Sequence, residues 1–130
     1  MAVKKQLTVF LENKPGQLAK VCKALSKAKV NIIAISVVDS SDTGAVRLLA
    51  DNSLNARKAL SKLKLLIHSK DVVVVTLPNE PGALAKTAEK LYRAGINIDY
   101  AYGSAMKGSK EGICVFGVEN PKKVDEVLKN

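Results

Sequence analysis

The stretch LENKPGQLAKVCKALSKAKVNI, from Leu11 to Ile32, returns as LPNEPGALAKTAEKLYRAGINI, from Leu77 to Ile98. Asn13, Pro15, Gly16, Leu18, Ala19 and Lys20 recur as Asn79, Pro81, Gly82, Leu84, Ala85 and Lys86. Further on, Leu25, Ala28, Asn31 and Ile32 recur as Leu91, Ala94, Asn97 and Ile98, always at an offset of 66 and without a gap. A repeat of this period constrains the fold more than any other feature, because each copy must be a supersecondary unit in its own right. The expected division is 1–70 and 71–130. Units of about 65 residues bury a modest share of their surface alone, so each is expected to lean on a neighbour.

QLTVFL (Gln6–Leu11) and VVVVTL (Val72–Leu77) are rich in β-branched or aromatic residues and stop at turn signals, so both read as strands. The unbroken VVVV suggests a strand buried on both faces, or a central one. NKPG and NEPG follow, in which Pro fixes its own φ and Gly takes conformations other residues avoid, turning the chain into a helix. That helix, about Gly16–Ala28, aligns Leu18, Val21, Cys22, Leu25 and Ala28 at helical spacing, with Lys20, Lys23 and Lys27 on the opposite face.

VNIIAISVVD and INIDYAYG read as second strands, GAVRLLAD and GICVFGVE as third strands. The third strands align at an offset of 68, which makes the second hairpin two residues longer. Second helices open at NSLNARKALSKL and NPKKVDEVL, with Asn52 and Asn120 as N-caps and Pro121 in the first turn. KLLIHSKD then gives the first copy a fourth strand that the second copy lacks. The order β-α-β-β-α-β is the ferredoxin-like pattern of the α+β class: two tandem units, each an antiparallel sheet with its helices on one face. Only Ser69, Lys70 and Asp71 separate the fourth strand of the first copy from the first strand of the second, so one extended sheet is expected. The edge left by the missing strand would be closed by a second chain.

Composition, with 47% hydrophobic and 25% charged residues and no low-complexity tract, is that of a globular protein. No apolar run reaches the length of a membrane span. MAVKKQLTVFLENK meets an acidic residue and a turn too early for a secretory signal, so a cytoplasmic location is expected. Cys22 and Cys114 have neither metal nor disulfide spacing and read as free thiols. His68, the single histidine, has no partner signature for catalysis or metal binding, and no phosphate-loop motif is present. No enzyme activity, catalytic residue, cofactor or metal is therefore expected.

The charge is lopsided: residues 1–70 carry 13 Lys and Arg against 4 Asp and Glu, whereas residues 71–130 carry 8 of each. Lys20, Lys23, Lys27, Arg57, Lys58 and Lys62 lie on helices that cover one side of the sheet, which allows a single basic patch. A solvated helix face and an acidic protein partner come ahead of nucleic acid, since RNA readers of this fold stack bases on aromatics. Aromatics are 4% here, and neither third strand is rich in them.

ENKPGQLAKVCKALSKAKVNI and NEPGALAKTAEKLYRAGINI resemble the ACT domain family in the N-x-P-G-x-L turn and the Asn-Ile entry to the second strand. Lys29, where the second copy has Gly95, and the absent last strand depart from that pattern. The resemblance implies a small regulatory module that binds a free amino acid or similar metabolite where modules meet, near the strand-to-helix turn. Helix N–H groups and the dipole favour a carboxylate there. Carried over by position, the first site is Asn13, Pro15, Gly16, Gln17 and Leu18 with Asn31 and Ile32. The second is Asn79, Pro81, Gly82, Ala83 and Leu84 with Asn97 and Ile98, joined by Tyr100 and Tyr102 on one face of the second strand.

Simpler roles stand beside these. The asparagines cap or tie down turns, Leu18 and Leu84 anchor their helices in the core, and the tyrosines pack between modules. The expectation is thus a homodimeric amino-acid sensor that acts on a protein partner in trans. An assembly module without ligand, or a nucleic-acid binder using the basic face, are the rival readings.

Overall fold

The computed structural model describes residues 2–40 and 43–129. Their order is β1 (Ala2–Glu12), α1 (Gln17–Lys27), β2 (Ile32–Ser40), β3 (Thr43–Ala50), α2 (Ser53–Ser61), β4 (Leu66–Pro78), α3 (Ala83–Arg93), β5 (Tyr100–Ser104), β6 (Glu111–Gly117) and α4 (Pro121–Leu128). The fold is α+β, with antiparallel strands and βαββα order in each half. Contacts divide the chain into two units, residues 5–70 and residues 71–129, the latter joined by residues 2–4.

In the N-terminal unit the strand order is β2-β3-β1, with the start of β4 beyond β1. Leu7 pairs with Leu48 and Val9 with Val46, so alternate residues of β1 and β3 share one face. That face is covered by Val21 and Leu25 of α1 and by Ala56 and Leu60 of α2, all buried in one core. On β4, His68 packs edge-on against Phe10 with ring centroids 5.8 Å apart.

The C-terminal unit orders its strands β4-β6-β5. Val73 faces Phe116 and Val75 faces Cys114, and these four pack under Leu91 of α3 and Val124 of α4. Val72 and Val73 are both fully buried, so this strand is covered on both faces at that point.

α1 and α3 end alike, which explains how Lys29 replaces a glycine. The N–H of Lys29 donates to Ser26 O and that of Val30 to Leu25 O, as Gly95 and Ile96 donate to Tyr92 O and Leu91 O. This Schellman closure requires a left-handed residue. Lys29 adopts it at φ 58° and Gly95 at φ 74°.

β4 runs unbroken through Ser69–Asp71 to Pro78, as the short spacing there suggests. Two strand starts differ from the sequence reading. β1 starts at Ala2 rather than Gln6. β5 starts only at Tyr100, because the Asn97 amide donates to the Asp99 carboxylate and residues 97–99 make an irregular entry instead of a ladder. The hairpin tip at residues 41–42, on which the compared hairpin lengths depend, lies outside the described residues.

Candidate functional site

The two repeated turns have one backbone. Gly16 and Gly82 both stand at φ 88°, and each is the N-cap of the helix that follows. A Cβ added at either would meet nothing within 4 Å, so the dihedral rather than crowding demands glycine. No side chain caps α1 or α3. At the other two helices Asn52 and Asn120 do cap, accepting from the N–H of Asn55 at 3.0 Å and of Lys123 at 3.4 Å. Helices that start at the repeated turn therefore present first-turn N–H groups and the positive end of the dipole without a side-chain acceptor.

In the C-terminal unit this helix start opens onto a cavity of about 260 Å³. Asn79, Glu80, Ala83 and Leu84 come from the turn and α3; Ala101, Tyr102 and Gly103 come from β5; Gly112, Ile113 and Cys114 come from β6. Glu80 is the one carboxylate residue of a mostly apolar lining that also includes Asn79, Tyr102 and Ser104. Burial pushes the Cys114 thiol above its ordinary pKa, so it stays neutral and packs as a small apolar group.

Two glycines allow close backbone approach beside the cavity. A Cβ at Gly103 would come within 2.4 Å of Ile113 O, and one at Gly112 within 2.8 Å of the Ala105 side chain. Asn79 holds the rim: its amide donates to Met106 O at 3.1 Å and Ser109 O at 2.8 Å, tying the turn to the β5–β6 hairpin.

The N-terminal unit repeats the turn but not the cavity lining. Val37 and Ile35 occupy the positions of Gly103 and Ala101, pairing with Val46 and Leu48 as those pair with Cys114 and Phe116. Lys14 replaces Glu80 and forms an ion pair with Glu12 at 3.2 Å. Bulk and charge thus both differ between the copies.

The structure brings Asn79, Ala83, Leu84 and Tyr102 together around the cavity, while Pro81 and Gly82 shape the turn without lining it. Asn97 instead lines a separate hollow with Glu119 and Lys123, at the C-terminal end of α3. Ile98 packs against the core, and the Tyr100 ring lies against Gly117. In the first copy Asn31 and Ile32 line a hollow with Cys22 and Lys29, away from Asn13, Pro15, Gly16, Gln17 and Leu18.

One expectation is corrected. Leu18 and Leu84 are not core anchors; they are 41% and 50% exposed, because Val21 and Leu25, or Thr87 and Leu91, already fill the buried stripe one turn on. Sequence reasoning missed Glu80, Gly103, Gly112 and Cys114. The signal for Gly103 was the Val37-to-Gly103 difference between aligned strands, whereas Gly112 repeats Gly44 and carried none.

A tandem βαββα architecture with an uncapped, glycine-started helix in each half defines a class of small paired modules. The chain belongs to the ACT domain pair family, whose match spans residues 1–130. Among solved structures it is similar to protein BT0572 from Bacteroides thetaiotaomicron, at 37% identity and a TM-score of 0.91, covering 98% of this chain and 87% of that one. It is also similar in fold to the ligand-free regulatory subunit of aspartate kinase from Thermus thermophilus, at 17% identity and a TM-score of 0.71, covering 99% and 96% of the two chains. The regulatory subunit of aspartate kinase from Thermus flavus gives 17% identity and a TM-score of 0.65 over 98% and 92%. Among curated proteins none matches. Among the described residues no helix is long and apolar enough to cross a membrane, and no group of three or more His, Cys, Asp or Glu side chains could hold a metal ion.

Proposed function

We propose that this ACT domain pair is a non-catalytic cytoplasmic sensor that binds a free amino acid at the β4–α3 turn and acts on a protein partner in trans. The observation that supports the reading is one cavity that has both an uncapped helix start and a carboxylate residue at its edge. The uncapped start of α3 suits the ligand carboxylate, Glu80 suits its ammonium group, and Leu77, Ala83 and Ile113 suit an apolar side chain. A volume of about 260 Å³ favours a small ligand. Contacts are assigned to Asn79, Glu80, Ala83, Leu84 and Tyr102, with Pro81 and Gly82 shaping the turn.

We assign the first copy an architectural role. Ile33, Ile35, Val37 and Val38 on the edge strand β2 are 40–55% exposed, and an apolar edge of that kind invites pairing with a second chain. A homodimer follows, with the turn of Asn13, Pro15, Gly16, Gln17 and Leu18 near its interface.

Thermal unfolding of the chain against all twenty amino acids at millimolar concentration tests the ligand. A ligand present at about 100 times its Kd stabilises the native state by roughly 2.7 kcal/mol. The expected result is a shift with one amino acid or a few related ones, lost in Glu80→Gln and in Gly82→Ala but kept in Gly16→Ala. A flat panel would sink the sensing reading.

A further inference from the structure

The N-terminal unit carries a second hollow, a groove of about 520 Å³ between α1 and α2. Its walls are lysines: Lys20, Lys23 and Lys27 from α1, Lys58 and Lys62 from α2. Its floor is apolar and low, made of Ala24, Ala28, Ala59 and Leu63. Asn55 is the remaining polar contributor, and no carboxylate lines the groove. Among the described residues none of the five lysines takes part in an ion pair.

This charge is not a requirement of the fold. On the matching faces of the C-terminal unit Glu89 stands for Lys23 and Glu126 for Lys58. There the charges neutralise one another: Arg93 pairs with Glu89 at 3.0 Å and Lys129 with Asp125 at 3.3 Å. The same two-helix scaffold thus exists in a balanced form and in an unopposed cationic form within one chain.

From this we infer that the α1–α2 groove docks an acidic amphipathic helix of a partner protein. Two rows of lysine with a narrow apolar strip between them complement a helix whose apolar stripe is flanked by carboxylates. Alanines on the floor let that helix approach closely, and the lysine stems add apolar wall while their ammonium groups reach the flanking acids. Nucleic acid fits less well: a phosphate backbone has no use for the apolar floor, and no aromatic lines the groove to stack a base.

The groove would give the proposed sensor its output surface. Binding there is measured with no amino acid present, so failure of one reading is separate from failure of the other.

The probe is a fluorescent peptide of about 16 residues, roughly four helical turns, with leucine at i, i+3, i+4 and i+7 and glutamate on both flanks. Its controls are a scrambled peptide of equal composition, a single-stranded oligonucleotide and a DNA duplex. Anisotropy titration of the full chain is expected to give binding at least about tenfold tighter for the patterned peptide than for the scrambled one. Lys23→Glu/Lys58→Glu places on the groove the residues that the C-terminal unit already tolerates. It should weaken the patterned peptide about tenfold or more, since each reversal replaces an attraction by a repulsion. Lys86→Glu/Lys90→Glu on α3 should leave binding unchanged.

Equal binding of patterned and scrambled peptides overturns the proposal, as does no binding of either. Tighter, steeply salt-dependent binding of either nucleic acid overturns it in favour of a nucleic-acid surface.

Discussion

Lys29 and Gly103 are the two residues at which the copies most instructively differ. Lys29 holds a left-handed conformation that its twin Gly95 occupies without strain. Lys29→Gly is therefore expected to stabilise the chain by about 1 kcal/mol, read as a higher midpoint in urea with an unchanged slope. A lower midpoint would mean that the lysine stem makes compensating contacts. Gly103 has the opposite constraint, since its Cβ would strike the Ile113 carbonyl. Gly103→Val, which installs the residue of the first copy, should cost about 1–3 kcal/mol and abolish any amino-acid shift. The repeat made the positions Asn13 to Ile32 and Asn79 to Ile98 visible from sequence. It hid Glu80, because that residue matches Lys14 rather than itself, and similarity was the signal being read.

The elements were legible where local chemistry sets them. Asn52 and Asn120 cap as their sequences suggest, and Asn→Ala at either should cost about 1 kcal/mol. α1 and α3 could be placed to within a residue because Pro-Gly begins them and a Schellman turn ends them. Strand ends were less readable. β5 loses its first residues to an Asn97–Asp99 side-chain pair, a competition that hydrophobic pattern does not register. The β5–β6 hairpin depends on one side chain from outside it, since Asn79 bonds Met106 O and Ser109 O. Asn79→Ala is expected to lower hydrogen-exchange protection across residues 106–111 while leaving the α1 amides unchanged. Unaltered protection of the hairpin would show that its own ladder suffices.

At the scale of the whole molecule, the two units are asymmetric: one has the cavity, the other an exposed apolar edge, a division that would serve the proposed sensor. If β2 is the dimer edge, sedimentation should give a dimer for the native chain and a monomer for Val37→Lys. A native monomer would remove that interface from the proposal. The sequence by itself determined that there are two copies, their α+β element order, the glycine-started turns and the lysine-rich first half. These depend on residues near one another in the chain, so periodicity and turn chemistry disclose them. Tertiary structure alone decided that the second turn opens onto a cavity and that five lysines surround an apolar floor. It also decided that residues 2–4 group with residues 71–129. Each of these rests on what lies across a strand pair or a helix pair, as Gly103 lies opposite Cys114. Such contacts join residues far apart in sequence, and local pattern carries no record of them.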